Sequence, residues 1–277
     1  MIDYYSFWNL NLPPFQDNND PKFYYKSSDH LEALERLHYV TESGSMNMGM
    51  LSGEVGTGKT ITKLVLMESL KNANHSNMIV NINSTSYSYA EIMKEILYQL
   101  TGDEPDSLPS RRYSLEIKLR KFLENNINKS DNRLFLLFDE AQKIASRDLD
   151  YLKDLTNITF GYDSPIIIIL IGQPSLIKNV EKLPQVNQRI GMRYHLTHMS
   201  LEETYKYISH RLKIAGAQSS IFSEEACKII HKKTKGLPRE INRVCKISMD
   251  IASMEKIEII DRDLVEIVFQ DLENNGQ

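Results

Sequence analysis

Residues 53–60 read Gly53-Glu54-Val55-Gly56-Thr57-Gly58-Lys59-Thr60, directly after the apolar run Met48-Gly49-Met50-Leu51 and before a helix-forming segment that begins near Lys59. This is the pattern G-x-x-x-x-G-K-[ST] in the setting it requires, a strand before it and a helix after it. The glycines let backbone N–H groups curl around phosphate oxygens, and a helix N-terminus adds a favourable dipole. The spacing predicts a phosphate cradle made by Gly53, Glu54, Val55, Gly56, Thr57, Gly58, Lys59, Thr60 and Ile61. In such a cradle for ATP, Lys59 reaches the β- and γ-phosphates and the Thr60 hydroxyl completes the coordination of Mg²⁺.

Working outward, Leu134-Phe135-Leu136-Leu137-Phe138 is a second apolar run, and it ends in Asp139-Glu140. An acidic pair at a strand end is by itself often a helix cap. Beside a phosphate loop it reads as catalytic: Asp139 holds Mg²⁺ through water and Glu140 polarises the attacking water. A third run, 166–171, ends at Gly172-Gln173-Pro174. Because parallel sheets place ligands at the carboxyl ends of strands, Gln173 is expected beside the γ-phosphate as a polar sensor. Two further runs, 78–82 and 192–196, complete a series of strand-like segments separated by helix-like ones. Continuous apolar runs between helices indicate a parallel sheet covered on both faces.

The 277 residues, 41% hydrophobic and 25% charged, suffice for one large domain and a small one. We expect an aromatic N-terminal arm over 1–28, packed on the nucleotide-binding core that occupies 29–198, and an all-helical lid over 199–277. The arm is rich in rings (Tyr4, Tyr5, Phe7, Trp8, Phe15, Phe23, Tyr24, Tyr25) that something must bury, since disordered segments are poor in aromatics. Trp8 and the arm tyrosines either frame the adenine or pack on the sheet. Asp29 and Glu32 resemble a capping box that opens a helix. Lid helices are expected at 200–215, 223–234, from Pro238 to about 254, and 261–272. Cys227 and Cys245, the only cysteines, fall on apolar helix faces, which argues against a disulfide framework or a zinc site. His195 and His198 have no clustered metal ligands and read as structural. The longest apolar run is too short to span a bilayer and 1–11 lacks a signal-peptide pattern, so a cytoplasmic protein without membrane insertion is expected. A net charge of −4 excludes a whole-chain basic field, leaving local patches for any nucleic-acid contact.

The chain resembles the ExeA/GspA family. The residues that carry the likeness are Tyr4-Tyr5-Ser6-Phe7 with Pro14-Phe15, the loop 53–60, Asp139-Glu140-Ala141-Gln142, Ile171-Gly172-Gln173-Pro174, Gln188-Arg189-Ile190 and Gly236-Leu237-Pro238-Arg239-Glu240-Ile241-Asn242. That family is AAA+, and it is similar in turn to the TnsC and TniB regulators of transposition and to the origin-recognition initiators. The resemblance implies an α/β fold with a five-stranded parallel P-loop sheet flanked by helices, a C-terminal helical lid, and ring or filament oligomers with ATP between neighbouring subunits. It also implies that Arg239 is the second sensor and that Arg189 is the arginine finger reaching a neighbour's site. Arg193 competes with Arg189 for that role.

For the work that the ATPase drives, the resemblance offers two settings. One is assembly of a secretin or a type IV pilus. ExeA itself carries a membrane segment and a peptidoglycan-binding part after its ATPase, and no counterpart of either is expected within 1–277. The other is a TnsC-like regulator that assembles on double-stranded DNA and links target-selector proteins to a transposase. The sequence reading favours the second. In TnsC-like proteins the loop after the second strand and the start of a later helix face DNA, and here those places hold Thr85, Ser86 and Tyr87, then Ser110, Arg111 and Arg112. Hydroxyls and guanidinium groups suit phosphate oxygens. The alternative for these residues is a solvated charged helix face.

Overall fold

A computed structural model describes residues 4–16, 20–43, 46–74, 76–83, 86–127, 132–160 and 164–274. Five strands, β1 (Met48–Gly53), β2 (Met78–Ile82), β3 (Leu134–Phe138), β4 (Ile166–Gly172) and β5 (Ile190–Leu196), form one sheet in the order β2-β3-β4-β1-β5. Every pairing is parallel. The helices in chain order are α1 (Ser28–Glu42), α2 (Lys59–Ala73), α3 (Tyr89–Thr101), α4 (Arg112–Asn126), α5 (Ser146–Leu155), α6 (Ser175–Glu181), α7 (Pro184–Arg189), α8 (Leu201–Ala215), α9 (Glu224–Thr234), α10 (Pro238–Glu255) and α11 (Arg262–Asn274).

The chain divides into two compact units. The sheet unit comprises His30–Val55 and Thr62–Leu196. All residues of β1, β3 and β4 are buried, as expected of inner strands covered on both faces. The register aligns Ile82 with Phe138, Phe138 with Leu170, and Ser52 with Gly172, so the strands reach one carboxyl edge together. β1 lies between β4 and β5, whereas its own connection leads to β2 at the far edge, the arrangement that opens a ligand crevice outside the strand ends. β5 starts two residues earlier than the apolar run suggested. As an edge strand it is only partly buried, and the exposed Gly191 interrupts the pattern.

The helical unit comprises Met1–Asp29, Gly56–Ile61 and Thr197–Gln277. Capping defines its helices. In α8, Ser200 and Glu203 form a reciprocal capping box and Gly216 ends the helix with φ 105°; Ser223 caps α9, and Pro238 opens α10. Cys227 and Cys245 are buried free thiols, and burial pushes Cys227 up to about 12.

Two expectations are corrected. The aromatic arm packs among the C-terminal helices, not on the sheet: Tyr4, Leu10, Phe15 and Phe23 share a core with Ile208, Leu212, Ile230, Val244 and Val265. Directional bonds hold it there, among them Asn11 N–H to the Ala215 carbonyl (2.8 Å) and Trp8 Nε1 to the Glu258 carbonyl (2.8 Å). Asp29 lies inside the first turn of α1 and not at its N-cap. Asp29 Oδ2 accepts from the Thr197 backbone N–H (2.6 Å) and hydroxyl (3.0 Å), while Glu32 pairs with Arg36 at 2.7 Å. The start of α1 is instead served by Glu203, whose Oε1 accepts from the Ser28 N–H and hydroxyl.

Candidate nucleotide site

The loop leaves the carboxyl end of β1 at Gly53 and enters α2 at Lys59. Gly56 (φ 88°) and Gly58 (φ 98°) are both left-handed, the backbone that turns successive N–H groups inward. Gly56 has a second reason to lack a side chain: a Cβ there would stand 2.6 Å from the Arg239 Cβ. The Arg239 N–H donates to the Gly56 carbonyl at 3.3 Å, which places the first turn of α10 on the loop. Gly236 (φ 76°) allows that approach, since any Cβ would run into the Met199 carbonyl. Thr57 and Lys59 are buried, Thr60 and Ile61 half-buried, and Glu54 and Val55 exposed.

In the sheet unit, Asp139 and Glu140 follow β3 and Gln173 follows β4, on adjacent strands. Asp139 Oδ1 accepts the Glu140 N–H at 3.0 Å, and its Oδ2 meets Lys63 Nζ at 2.8 Å. Lys63 also donates to Asn83 Oδ1 at 2.8 Å, and its side chain is 2% exposed. Sequence reasoning missed this lysine. The signal lay in its spacing, because Lys63 shares the inward face of α2 with Leu66 and Leu70, where an apolar residue is the default. Glu140 has a left-handed backbone (φ 53°), a conformation that costs a non-glycine residue roughly 1–3 kcal/mol. Its Oε2 accepts from Gln142 Nε2 at 2.8 Å and Gln173 Nε2 at 3.5 Å, with Lys143 Nζ at 3.4 Å.

Arg189 ends α7, is exposed, and donates to Asn157 Oδ1 at 2.8 Å. Arg193 is committed within its own unit, giving Nη2 to the carbonyl and the side-chain oxygen of Asn187 at 2.8 and 2.7 Å.

The two segments considered for DNA converge where α3 and α4 begin. The Arg112 guanidinium lies 5.2 Å from the Tyr89 ring and 3.7 Å from the Tyr151 ring, and Tyr89 donates to Glu116 at 2.7 Å. Ser86, Tyr87, Ser110 and Arg111 are exposed at this edge; Thr85 lies outside the described residues. Arg112 itself is half-buried and already engages Glu116 (2.6 Å) and Asp154 (3.3 Å), so it braces helices and is not held out to solvent. His195 Nδ1 lies 3.0 Å from Ser52 Oγ, and no group of metal-ligating side chains occurs among the described residues.

A P-loop sheet of this order, with an acidic pair after β3 and a polar residue after β4, defines an AAA-type nucleotide-binding protein. Residues 42–180 match the AAA domain family, and the chain belongs to that family, in its ExeA/GspA branch. It is 34% identical over 245 residues to General secretion pathway protein A of Aeromonas hydrophila, covering 87% of this chain and 43% of that protein. It is 27% identical over 241 residues to an HTH-type transcriptional regulator of Methanocaldococcus jannaschii, covering 84% of this chain and 58% of the regulator. The chain thus spans less than two thirds of either relative. The fold is that of the Aeropyrum pernix ORC2 protein, solved as ADPNP–ADP complexes, with a TM-score of 0.68 at 20% identity over 93% of this chain and 71% of that one. No helix among the described residues is long and apolar enough to cross a membrane.

Proposed function

We propose that the chain is an ATPase that converts ATP to ADP and phosphate. The observation that carries this reading is the common carboxyl edge at which the phosphate loop leaves β1, Asp139 and Glu140 leave β3, and Gln173 leaves β4. The loop N–H groups and Lys59 bind phosphates; in the sheet unit Glu140 accepts a proton from the attacking water and Gln173 meets the γ-phosphate, while Arg239, against Gly56 in the helical unit, acts as the second sensor. Mg²⁺ suits the donor set. Thr60 and Asp139 supply too few oxygens for a metal alone, and Mg²⁺ characteristically takes one or two protein oxygens together with phosphates and water. When bound it supplies charge neutralisation at the phosphates.

Lys59→Ala should abolish ATP binding, whereas Glu140→Gln should keep binding and lose turnover. Normal hydrolysis by the Glu140 variant would remove Glu140 as the base. We place the finger on Arg189, since it is exposed while Arg193 is spent on Asn187. A finger that acts in trans makes the working form a ring or filament. Mixing Arg189→Ala with Glu140→Gln chains should then restore turnover at mixed interfaces, and no recovery at any ratio would dismiss the role.

For the output, identity to the Aeromonas secretion protein over most of this chain supports a nucleotide-driven ATPase of secretin or type IV pilus assembly. The second reading, a double-stranded-DNA-binding regulator of transposition with transposase and target-selector partners, is favoured by the exposed cluster Ser86, Tyr87, Ser110 and Arg111. Duplex retention at low salt with an ATP analogue but not with ADP would support it, and retention with neither would sink it.

A further inference from the structure

Gln142 has no part in the roles assigned above, yet both ends of its amide are committed. Nε2 donates to Glu140 Oε2 at 2.8 Å, and Oε1 accepts the backbone N–H of Gln173 at 3.0 Å. The bridge therefore spans from the turn after β3 to the end of β4. Its backbone is pinned as well: Asn179 Nδ2 donates to the Gln142 carbonyl at 3.1 Å, and the Lys143 N–H closes the turn on the Glu140 carbonyl at 2.9 Å. Space for the amide comes from Gly172, where a Cβ would stand 2.5 Å from Gln142 Oε1.

None of the turn's backbone bonds needs an amide at position 142. What needs one is the pair of groups it joins, because a carboxylate calls for a donor and a main-chain N–H calls for an acceptor. A hydrocarbon of similar length offers neither, and a carboxylate offers only the acceptor. Gln173 reaches the same Glu140 oxygen with its own Nε2 at 3.5 Å, so the three side chains form a closed set. The set holds a carboxylate whose own backbone is left-handed.

We propose that Gln142 is a positioning residue that latches Glu140 to Gln173, so that the carboxylate acting on water follows the residue that meets the γ-phosphate. This rests on the ATPase reading above. A base displaced by about 1 Å loses on the order of a hundredfold in rate, so a latch that fixes the carboxylate acts on turnover and not on nucleotide affinity. Gln142 touches neither phosphate nor water in this scheme and acts only through its two partners.

The test is steady-state ATPase activity together with binding of a fluorescent ATP analogue and thermal unfolding. Gln142→Met should lower kcat roughly ten- to a hundredfold while KM, analogue affinity and Tm hold, the split expected when a base is misplaced. Gly172→Ala should reproduce that split without removing any polar group, because its methyl displaces the amide. Gln142→Met combined with Gln173→Met should be about as slow as the slower single variant, since both act on one carboxylate. A Gln142→Met enzyme with wild-type kcat overturns the latch, and so does a double variant whose losses multiply. If kcat and analogue affinity fall together, Gln142 is a binding or folding residue and the latch is equally refuted. A wild-type chain without turnover would take down the ATPase reading and the latch with it, whereas active wild type with an unaffected Gln142→Met takes down the latch alone.

Discussion

Lys63 in the sheet unit and Arg211 in the helical unit are both buried cations, and the two are used differently. In the sheet unit Lys63 lies on the inward face of α2 with Nζ 2.8 Å from Asp139, beside strands that carry no buried charge of their own until they end. In the helical unit Arg211, 4% exposed, gives Nε to the Pro14 carbonyl (2.6 Å), Nη2 to the Gln16 carbonyl (3.2 Å) and Nη1 to the Tyr207 hydroxyl (2.9 Å), and lies over the Phe23 ring at 4.8 Å. Tyr207 passes its own proton to Asn242 Oδ1 at 2.9 Å. One cation faces a carboxylate at a strand end. The other faces neutral main-chain oxygens of the arm, where it works as a fastener. A charge buried against a carboxylate belongs to the chemistry at the sheet's carboxyl edge; a charge buried against carbonyls joins segments nearly two hundred residues apart in sequence.

Removing the first cation should have the larger effect. Lys63→Met removes the ammonium paired with Asp139, whose side chain is only 10% exposed, and breaking a buried pair from one side typically costs about 3–5 kcal/mol. Urea unfolding followed by far-UV circular dichroism measures it, and nucleotide-binding assays should register a change as well, because Asp139 Oδ2 loses its anchor. A variant as stable as wild type would mean that Asp139 rearranges freely, and the contrast between the two cations would collapse.

Arg211→Met comes next. It takes the guanidinium off the Phe23 ring and leaves the buried Pro14 carbonyl and Tyr207 hydroxyl without that donor, a loss of about 2–3 kcal/mol when more than one buried acceptor is orphaned. The chain's single tryptophan, Trp8, is in the arm and bonds the Glu258 carbonyl, so its fluorescence reports the fastening directly. Trp8 emission should shift to the red at lower urea in the variant. An unmoved transition would show that apolar packing of Tyr4, Phe15 and Phe23 alone secures the arm.

The same contrast explains what the sequence reveals. The sheet was legible because its strands are continuous apolar runs, and β2 and β3 fall at the bounds those runs set. The places of the loop 53–60 and of Asp139-Glu140 were legible because each follows directly on an apolar run that forms a strand. The C-terminal helices were marked by their caps, Ser200 with Glu203, Ser223 and Pro238. Hidden features all depend on pairing across the chain. Composition says that the arm's rings must be buried but not where, and Arg211 on α8 looks like any surface arginine until Pro14 and Gln16 are brought to it. Gln142 was visible as part of a motif, but its bridge needs β4 beside β3, which no local pattern states. Lys63 alone left a local trace, a charge in the apolar stripe of α2.

The smallest effect distinguishes the helical unit by pH. Burial holds His210 below its ordinary value, helped by the nearby Arg211 and Lys213, although a backbone hydrogen bond at Tyr24 acts the other way. Burial likewise lowers His231, whose Nδ1 lies 3.0 Å from the Thr204 hydroxyl. Unfolded, each imidazole titrates near about 6.5. Between that value and the lower folded one, the unfolded chain binds more protons than the folded chain, so stability rises with pH across the window. The unit should keep its full stability above the unfolded value and lose it progressively as pH falls through the window, with the loss complete below the folded values. Carboxylates enter further down. Glu203, lowered by its bonds to Ser28 and Ser200 against the opposing effect of burial, costs stability only once it protonates, while Asp250, raised by burial, acts with the opposite sign in the carboxylate range. The Trp8-reported urea midpoint should therefore drop between pH 7.5 and pH 5.5, and His210→Gln should flatten that drop because glutamine takes up no proton. An equal drop in the glutamine variant would assign the pH response to groups outside the α8 face that carries Arg211, and the fastening of the arm would then be independent of its neighbouring imidazole.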